Sequence, residues 1–196
     1  MKKLDRIYVD SCIVIELAKY AKKLHRPDRE NDLWFVRQML KAVEDGEIEI
    51  ITSSLTIAES LFLGYDDKKN PIECDAATQQ FLADLLTSGT LIKLIQPSLF
   101  VAERARDLRW KHGLKLKPYD SMHVASALDG DCKELLSWDT DMSSVTRANE
   151  IRVLSKLGLR VVTPHDSDIL PKTYTQQGLK LTAPTKQRML PPPTIQ

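Results

Sequence analysis

The stretch "RIYVDSCIVIELAKYAKKL", residues 6–24, joins a β-rich run directly to a helix-forming run. The run "RIYVD" is short and rich in residues that favour β-strands, which predicts a strand that ends at Asp10. Ser11 is a residue type that favours the start of a helix. The residues after it are apolar at first and then basic, as expected of a helix that leaves the core. The stretch therefore predicts a strand and a helix with an acidic residue between them.

The same alternation continues along the chain. Further strands are predicted at 47–52, 90–95, 132–138 and 159–164, and further helices at 31–45, 53–64, 75–87, 97–113, 119–130 and 149–158. Residues 64–74, "GYDDKKNPIEC", are predicted to form a loop. Strands that alternate with helices indicate a mainly parallel sheet with helices on both faces. The fold class is therefore α/β.

The composition changes near the C-terminal end. Six of the ten prolines lie within residues 164–196, and four basic residues but no acidic residue follow Asp168. Because this composition disfavours a packed core, we predict one domain over residues 1–165 and an extended, Pro-containing basic tail over residues 166–196.

Charge and cysteine content narrow the class of protein. The net charge is +1, so the chain lacks the strongly basic character of many nucleic-acid-binding proteins. Cys12, Cys74 and Cys132 lie far apart and form no CxxC pair, which favours reduced thiols over a disulfide framework or a zinc site. No run reaches the roughly 20 apolar residues of a membrane span, and none at the N-terminus is typical of a signal peptide. We expect a cytoplasmic protein without membrane contact.

Acidic residues stand where the predicted strands end. Asp10 follows the first strand, Glu59 lies in the helix after the second strand, and Asp120 lies in the first turn of a helix. Asp139 and Asp141 follow the strand at 132–138. Ligands of open parallel sheets bind at the carboxyl ends of the strands, so these acids are expected to converge there. Clustered carboxylates need a counter-cation, and Mg²⁺ or Mn²⁺ prefers such oxygen ligands.

Four motifs resemble, in order, the successive motifs of the PIN domain family: "IYVDSCIVIEL", "TSSLTIAESL", "YDSMHVASAL" and "LLSWDTDM". The resemblance extends over residues 4–165. It implies a three-layer α/β/α nuclease fold and hydrolysis of RNA phosphodiester bonds that depends on Mg²⁺ or Mn²⁺. It also implies that Asp10, Glu59, Asp120 and Asp139 are catalytic acids that hold the metal. Asp141 is assigned an auxiliary role in metal binding, because Met142 follows it where the family motif often has Phe.

The size and layout look most like VapC-type toxins of bacterial toxin–antitoxin pairs. That likeness implies a homodimer, a protein antitoxin as partner and RNA as substrate. Within the same family, a housekeeping RNA-processing nuclease and a non-catalytic binding module are alternatives. A haloacid-dehalogenase-type phosphatase would also use an Asp-x-Asp pair after a strand, as in Asp139–Asp141. That motif normally stands near the start of such chains, whereas only 55 residues follow Asp141 here.

The basic run before Asp120 and the histidine after it each have a structural and a functional interpretation. A basic run that includes Trp110 leads to Asp120 and could guide single-stranded RNA, although a solvated helix face explains it equally well. Its basic members are Arg104, Arg106, Arg109, Lys111, Lys115 and Lys117. His123 lies one turn after Asp120, and a single histidine in such a position is expected to be structural.

Overall fold

The computed structural model describes residues 3–66, 70–138 and 148–176. The strands are β1 (Asp5–Val9), β2 (Ile48–Ser53), β3 (Phe62–Asp66), β4 (Asn70–Glu73), β5 (Ile92–Ile95), β6 (Glu134–Leu136) and β7 (Arg160–Val162). The helices are α1 (Ser11–Ala21), α2 (Glu30–Glu44), α3 (Leu55–Glu59), α4 (Ala76–Thr87), α5 (Leu99–Trp110), α6 (Pro118–Asp129), α7 (Ala148–Lys156) and α8 (Lys172–Gln176). Short 3₁₀ turns lie at Pro27–Arg29 and Pro164–Asp166.

The central sheet has five strands in the order β5-β2-β1-β6-β7, and every neighbouring pair is parallel. Strand β1 lies in the middle, with Ile7 opposite Ile50 on one side and Glu134 on the other. The predicted α/β class with a mainly parallel sheet is confirmed. Parallel strands place their carboxyl ends at one edge of the sheet, and β1 delivers Asp10 to the centre of that edge.

Helices cover both faces of the sheet and form two separate cores. Alternate residues of β1 belong to different cores: Ile7 and Val9 pack with α1, α2 and α4, whereas Tyr8 packs with α5, α6 and α7. Side chains of a strand point alternately to the two faces, so this division follows from the sequence "IYV". The architecture is the three-layer α/β/α arrangement that the resemblance implied. Among the described residues, no helix has the length and apolar character needed to span a membrane.

The structure differs from the sequence prediction between residues 59 and 74. Helix α3 ends at Glu59, and strands β3 and β4 form an antiparallel hairpin where the end of a helix and a loop were predicted. Gly64 has a φ of +142°, which no residue of an α-helix adopts, and Leu63 points into the core. The hairpin thus buries an apolar residue of a segment whose apolar run had suggested a helix.

Residues 166–176 pack against the domain, in contrast to the extended tail predicted from residue 166. Leu170 is buried in the core beside α2, and α8 contacts the same helix. The buried carboxylate of Glu134 accepts hydrogen bonds from the Ser167 hydroxyl at 2.6 Å and the Asp168 N–H at 3.1 Å. An acidic residue in a buried strand thus provides the anchor that composition alone did not reveal. Residues 177–196 of the predicted tail lie outside the described residues.

Candidate metal centre

Asp10 occupies the junction between β1 and α1 and is 4% exposed. It is the N-cap residue of α1, with an extended backbone, and its Oδ1 accepts the Ser11 N–H at 2.7 Å. Its Oδ2 accepts a hydrogen bond from the Ser137 hydroxyl at 2.8 Å. Ser137 directly follows β6, the strand paired with β1. The parallel pairing of two strands therefore fixes both the position and the orientation of this carboxylate.

Glu59 is the last residue of the short helix α3, which begins two residues after β2. Its side chain is 27% exposed, so one side of the carboxylate faces solvent. The other side meets α6, where His123 Nε2 lies 2.7 Å from Glu59 Oε2. The same ring nitrogen lies 3.6 Å from Asp10 Oδ1. His123 thus brings together acidic residues from the ends of two neighbouring strands.

Helix α6 contributes Asp120 in its first turn and His123 one turn later. Pro118 at the helix start needs no N–H partner, and the carboxylate of Asp120 is stabilised at a helix N-terminus. Asp120 is 9% exposed and His123 is 1% exposed. The second ring nitrogen of His123, Nδ1, lies 2.7 Å from the Tyr8 hydroxyl.

The charges in this cluster shift the pKa values of its members in opposite directions. Burial alone would lower the pKa of His123, but the hydrogen bond with Glu59 and the charges of Asp10, Glu59 and Asp120 outweigh it and raise that pKa. For Glu59, burial alone would raise the pKa of the carboxyl group, and the hydrogen bond and charge of His123 outweigh it and lower that pKa. Glu59 is therefore ionised at neutral pH. The charge of Asp120 raises the pKa of His123 in the same direction as those of Asp10 and Glu59.

The donor atoms suit a small, hard divalent cation. One ligand atom each from Asp10, Glu59 and His123 can be chosen so that all lie within 4.8 Å of one another. Carboxylate oxygens from separate strands, with an opening to solvent beside Glu59, match the preference of Mg²⁺ and Mn²⁺ for one or two carboxylates completed by water. The residues present therefore fit such an ion.

The sequence model of the PIN domain family matches residues 7–148, well over half of the chain. The chain belongs to the PIN domain family. Two solved structures are similar to it. A toxin-antitoxin complex from Klebsiella pneumoniae shares 22% identity, covering 81% of this chain and 97% of that chain, with a TM-score of 0.46. FitAcB from Neisseria gonorrhoeae shares 16% identity, covering 82% of this chain and 99% of that chain, with a TM-score of 0.46. A comparison with curated proteins gave no match.

The structure of this PIN domain brings some of the predicted site residues together. Asp10 and Glu59 lie in one cluster, and Asp120 lies one helical turn before the histidine that joins them. Asp139 and Asp141 lie outside the described residues, which reach Trp138 at this point. The sequence interpretation of His123 as a structural residue missed its contact with Glu59. The available signal was its spacing, because residues three apart share a face of a helix.

The basic run before Asp120 is partly engaged in contacts within α5. Arg106 pairs with Asp107 at 3.3 Å and its guanidinium carbon lies 4.9 Å from the centre of the Trp110 ring. Lys111 pairs with Asp107 at 2.7 Å. Arg106 and Lys111 thus share Asp107 as an acidic partner. The indole of Trp110 is nevertheless 74% exposed.

Proposed function

We propose that this PIN domain is an endoribonuclease that depends on Mg²⁺ or Mn²⁺. The observation that carries the proposal is the convergence of Asp10 and Glu59 at the carboxyl edge of the sheet, with Asp120 one helical turn before the histidine beside them. Separate elements bring buried or half-buried carboxylates together there. Such an arrangement is costly without a cation and is typical of sites that bind one.

The proposed metal-binding residues are Asp10, Glu59, Asp120 and Asp139, with Asp141 auxiliary. When bound at carboxylates of this kind, a divalent ion lowers the pKa of water and neutralises charge that develops on a phosphodiester. The residues of the chain itself orient the carboxylates. The Ser11 N–H and the Ser137 hydroxyl group donate to the two carboxylate oxygens of Asp10. The Cys12 thiol lies 3.2 Å from Oδ2, so these donors hold the carboxylate in one orientation.

Exposed aromatic side chains in the sequence that leads to Asp120 support a single-stranded nucleic acid as substrate. Tyr119, which is 64% exposed, directly precedes Asp120, and Trp110 is exposed at the end of the preceding helix. Aromatic rings next to basic residues are a common way to bind unpaired bases. We propose RNA as the substrate, which agrees with the activity implied by the sequence resemblance.

The finer proposal is a VapC-type toxin that acts in the cytoplasm as a homodimer and is held by a protein antitoxin. Its support is the likeness in motif order and layout described for the sequence. Induced expression of the wild-type chain in a bacterial host without the antitoxin should arrest growth, and the Asp10→Asn variant should not. Normal growth with a wild-type protein that cleaves RNA in vitro would favour a housekeeping nuclease.

The enzymatic part of the proposal is tested with labelled single-stranded RNA and purified protein. We expect cleavage with Mg²⁺ or Mn²⁺, loss of cleavage when EDTA is added, and recovery when Mn²⁺ is restored. RNA that is bound but never cleaved under any of these conditions would instead identify a non-catalytic binding module.

A further inference from the structure

A continuous chain of hydrogen bonds runs from the backbone of β2 to Glu59. The Ser53 N–H donates to the Tyr8 hydroxyl oxygen at 2.9 Å, and that oxygen lies 2.7 Å from His123 Nδ1. His123 Nε2 then lies 2.7 Å from Glu59 Oε2. Tyr8 and His123 are both essentially inaccessible to water. The chain therefore connects the central sheet with the half-exposed carboxylate through two buried rings.

The contact with Glu59 determines where one proton of His123 lies. An ionised carboxylate can only accept, so the short contact with Glu59 requires a proton on Nε2. The Tyr8 hydroxyl group, whose oxygen also accepts the Ser53 N–H, lies 2.7 Å from Nδ1, where it can donate to a neutral ring or accept from a protonated one. A ring nitrogen that carries a proton has no lone pair for a metal. The histidine therefore faces the acidic cluster as a donor.

Glu59 needs such a donor more than Asp10 does. Asp10 has a short side chain, is almost fully buried and accepts hydrogen bonds at both oxygens. Glu59 has a longer side chain, lies at the end of a five-residue helix and is half-buried. Fixing a free glutamate on metal binding would cost side-chain entropy, whereas a carboxylate already held by a hydrogen bond avoids most of that loss.

We propose that His123 is a positioning residue that holds Glu59 ready for metal binding, and that Tyr8 fixes the tautomer and orientation of its ring. The inference rests on the proposed metal site and adds two residues to it. The competing assignment makes His123 a metal ligand, since its Nε2 belongs to the same cluster as the two acids. That assignment would require Nε2 to give up the proton it shares with Glu59.

Three substitutions separate these roles in the full-length protein without RNA. His123→Gln retains an amide N–H near the place of Nε2, whereas His123→Asn is too short to reach Glu59. Tyr8→Phe removes only the hydroxyl group that contacts Nδ1. The control Tyr174→Phe removes a hydroxyl group that instead contacts Asp45 on the other face of the sheet.

The first measurement is the affinity for Mn²⁺ by isothermal titration calorimetry. We expect His123→Asn to weaken binding by about 10- to 100-fold, the usual effect of removing a partner that orients a ligand. His123→Gln should restore most of that loss, Tyr8→Phe should weaken binding by a smaller factor, and Tyr174→Phe should leave it unchanged. Thermal unfolding of the metal-free variants checks that each is folded.

The second measurement is spectroscopic and identifies what the ring nitrogens do. In metal-free protein, ¹⁵N NMR of His123 should show a protonated Nε2 in the wild type and a mixture of tautomers in Tyr8→Phe. Pulsed EPR of the Mn²⁺-loaded wild type should show no ¹⁴N coupling from a directly bound imidazole.

A directly bound ¹⁴N, or unchanged Mn²⁺ affinity in a folded His123→Asn protein, would overturn the inference and leave the proposed nuclease intact. Tight Mn²⁺ binding that depends on His123 in a protein that cleaves no RNA would support the inference and overturn the proposed activity. A wild-type protein that binds no Mn²⁺ would overturn both.

Discussion

The hydroxyl group of Ser137 lies 2.8 Å from Oδ2 of Asp10 and connects the ends of β6 and β1. The backbone confirms the same connection, because the Asp10 N–H donates to the Leu136 carbonyl at 3.1 Å. The orientation of the Asp10 carboxylate therefore depends on the pairing of two strands that lie far apart in the sequence. The Cys12 thiol lies 3.2 Å from the same Oδ2 oxygen, so side chains from two elements hold the Asp10 carboxylate in one orientation.

Replacement of Ser137 by alanine should weaken metal binding while the fold is kept. Without the hydroxyl group, Oδ2 of Asp10 loses this donor and keeps the weaker contact with the Cys12 thiol, and we expect Mn²⁺ affinity to fall by about 10- to 100-fold. Calorimetric titration measures the change. Ser126→Ala is the matched control, since Ser126 is a buried serine of α6 whose hydroxyl group has no hydrogen-bond partner among the described residues. Equal affinities of the two variants would contradict the role of Ser137.

Replacement of Asp32 by alanine should destabilise the protein. This buried carboxylate on α2 accepts the indole N–H of Trp138 at 2.7 Å and the backbone N–H of His165 at 3.3 Å. Leaving a buried donor without a partner typically costs about 1–3 kcal/mol, and we expect a loss of that size in the free energy of unfolding. Urea denaturation measures it. Asp28→Ala, an exposed acid one turn earlier, should change the midpoint little; a comparable loss there would argue against a specific role of Asp32.

The stability contributed by Glu49 should depend on pH. Glu49 on β2 pairs with Lys93 on β5 and Arg6 on β1. The hydrogen bond from Lys93 and the contact with Arg6 lower the pKa of Glu49 below its ordinary value of 4.5. Partial burial opposes this shift but does not outweigh it. A lowered pKa in the folded state stabilises the protein above pH 4.5, and the contribution is lost as the pH falls through the folded-state pKa.

Urea denaturation of the wild type and Glu49→Gln at several pH values tests this dependence. The wild type should be the more stable protein at pH 7, and the difference in the free energy of unfolding should shrink towards pH 3. A difference that stays constant over this range would mean that the ion pairs across β1, β2 and β5 do not stabilise the sheet.

The sequence was sufficient for the central architecture because the strands and helices around it have clear periodicities and caps. The predicted position of Asp10 between a strand and a helix is correct, because a β-rich run and a helix-forming run meet at this residue. The hairpin of β3 and β4 was missed because the apolar run after Glu59 is compatible with either a helix or a strand. Only the pairing of β3 with β4 shows that the run forms a strand. The packing of residues 165–176 involves hydrogen bonds to Asp32 and Glu134, which lie more than 30 positions away from their partners.

In the candidate site, too, the sequence predicts features that depend on neighbouring residues but not contacts between distant ones. Acidic residues at strand ends and in a first helical turn are visible in the sequence. The interaction of His123 is not, since its partners Tyr8 and Glu59 lie 115 and 64 positions away. Sequence spacing indicates a shared helix face, but only the packing of α6 against the sheet shows that the ring reaches both partners.

The most direct test of the account is RNA cleavage by a matched pair of acidic substitutions on one helix. Asp120, a proposed metal ligand, lies buried in the first turn of α6, and Asp129 lies exposed at the last residue of the same helix. With Mn²⁺ and single-stranded RNA, we predict that Asp120→Asn loses cleavage by at least about 100-fold, whereas Asp129→Asn retains it. Full metal-dependent cleavage by a folded Asp120→Asn protein would contradict a metal centre at the carboxyl edge of the sheet.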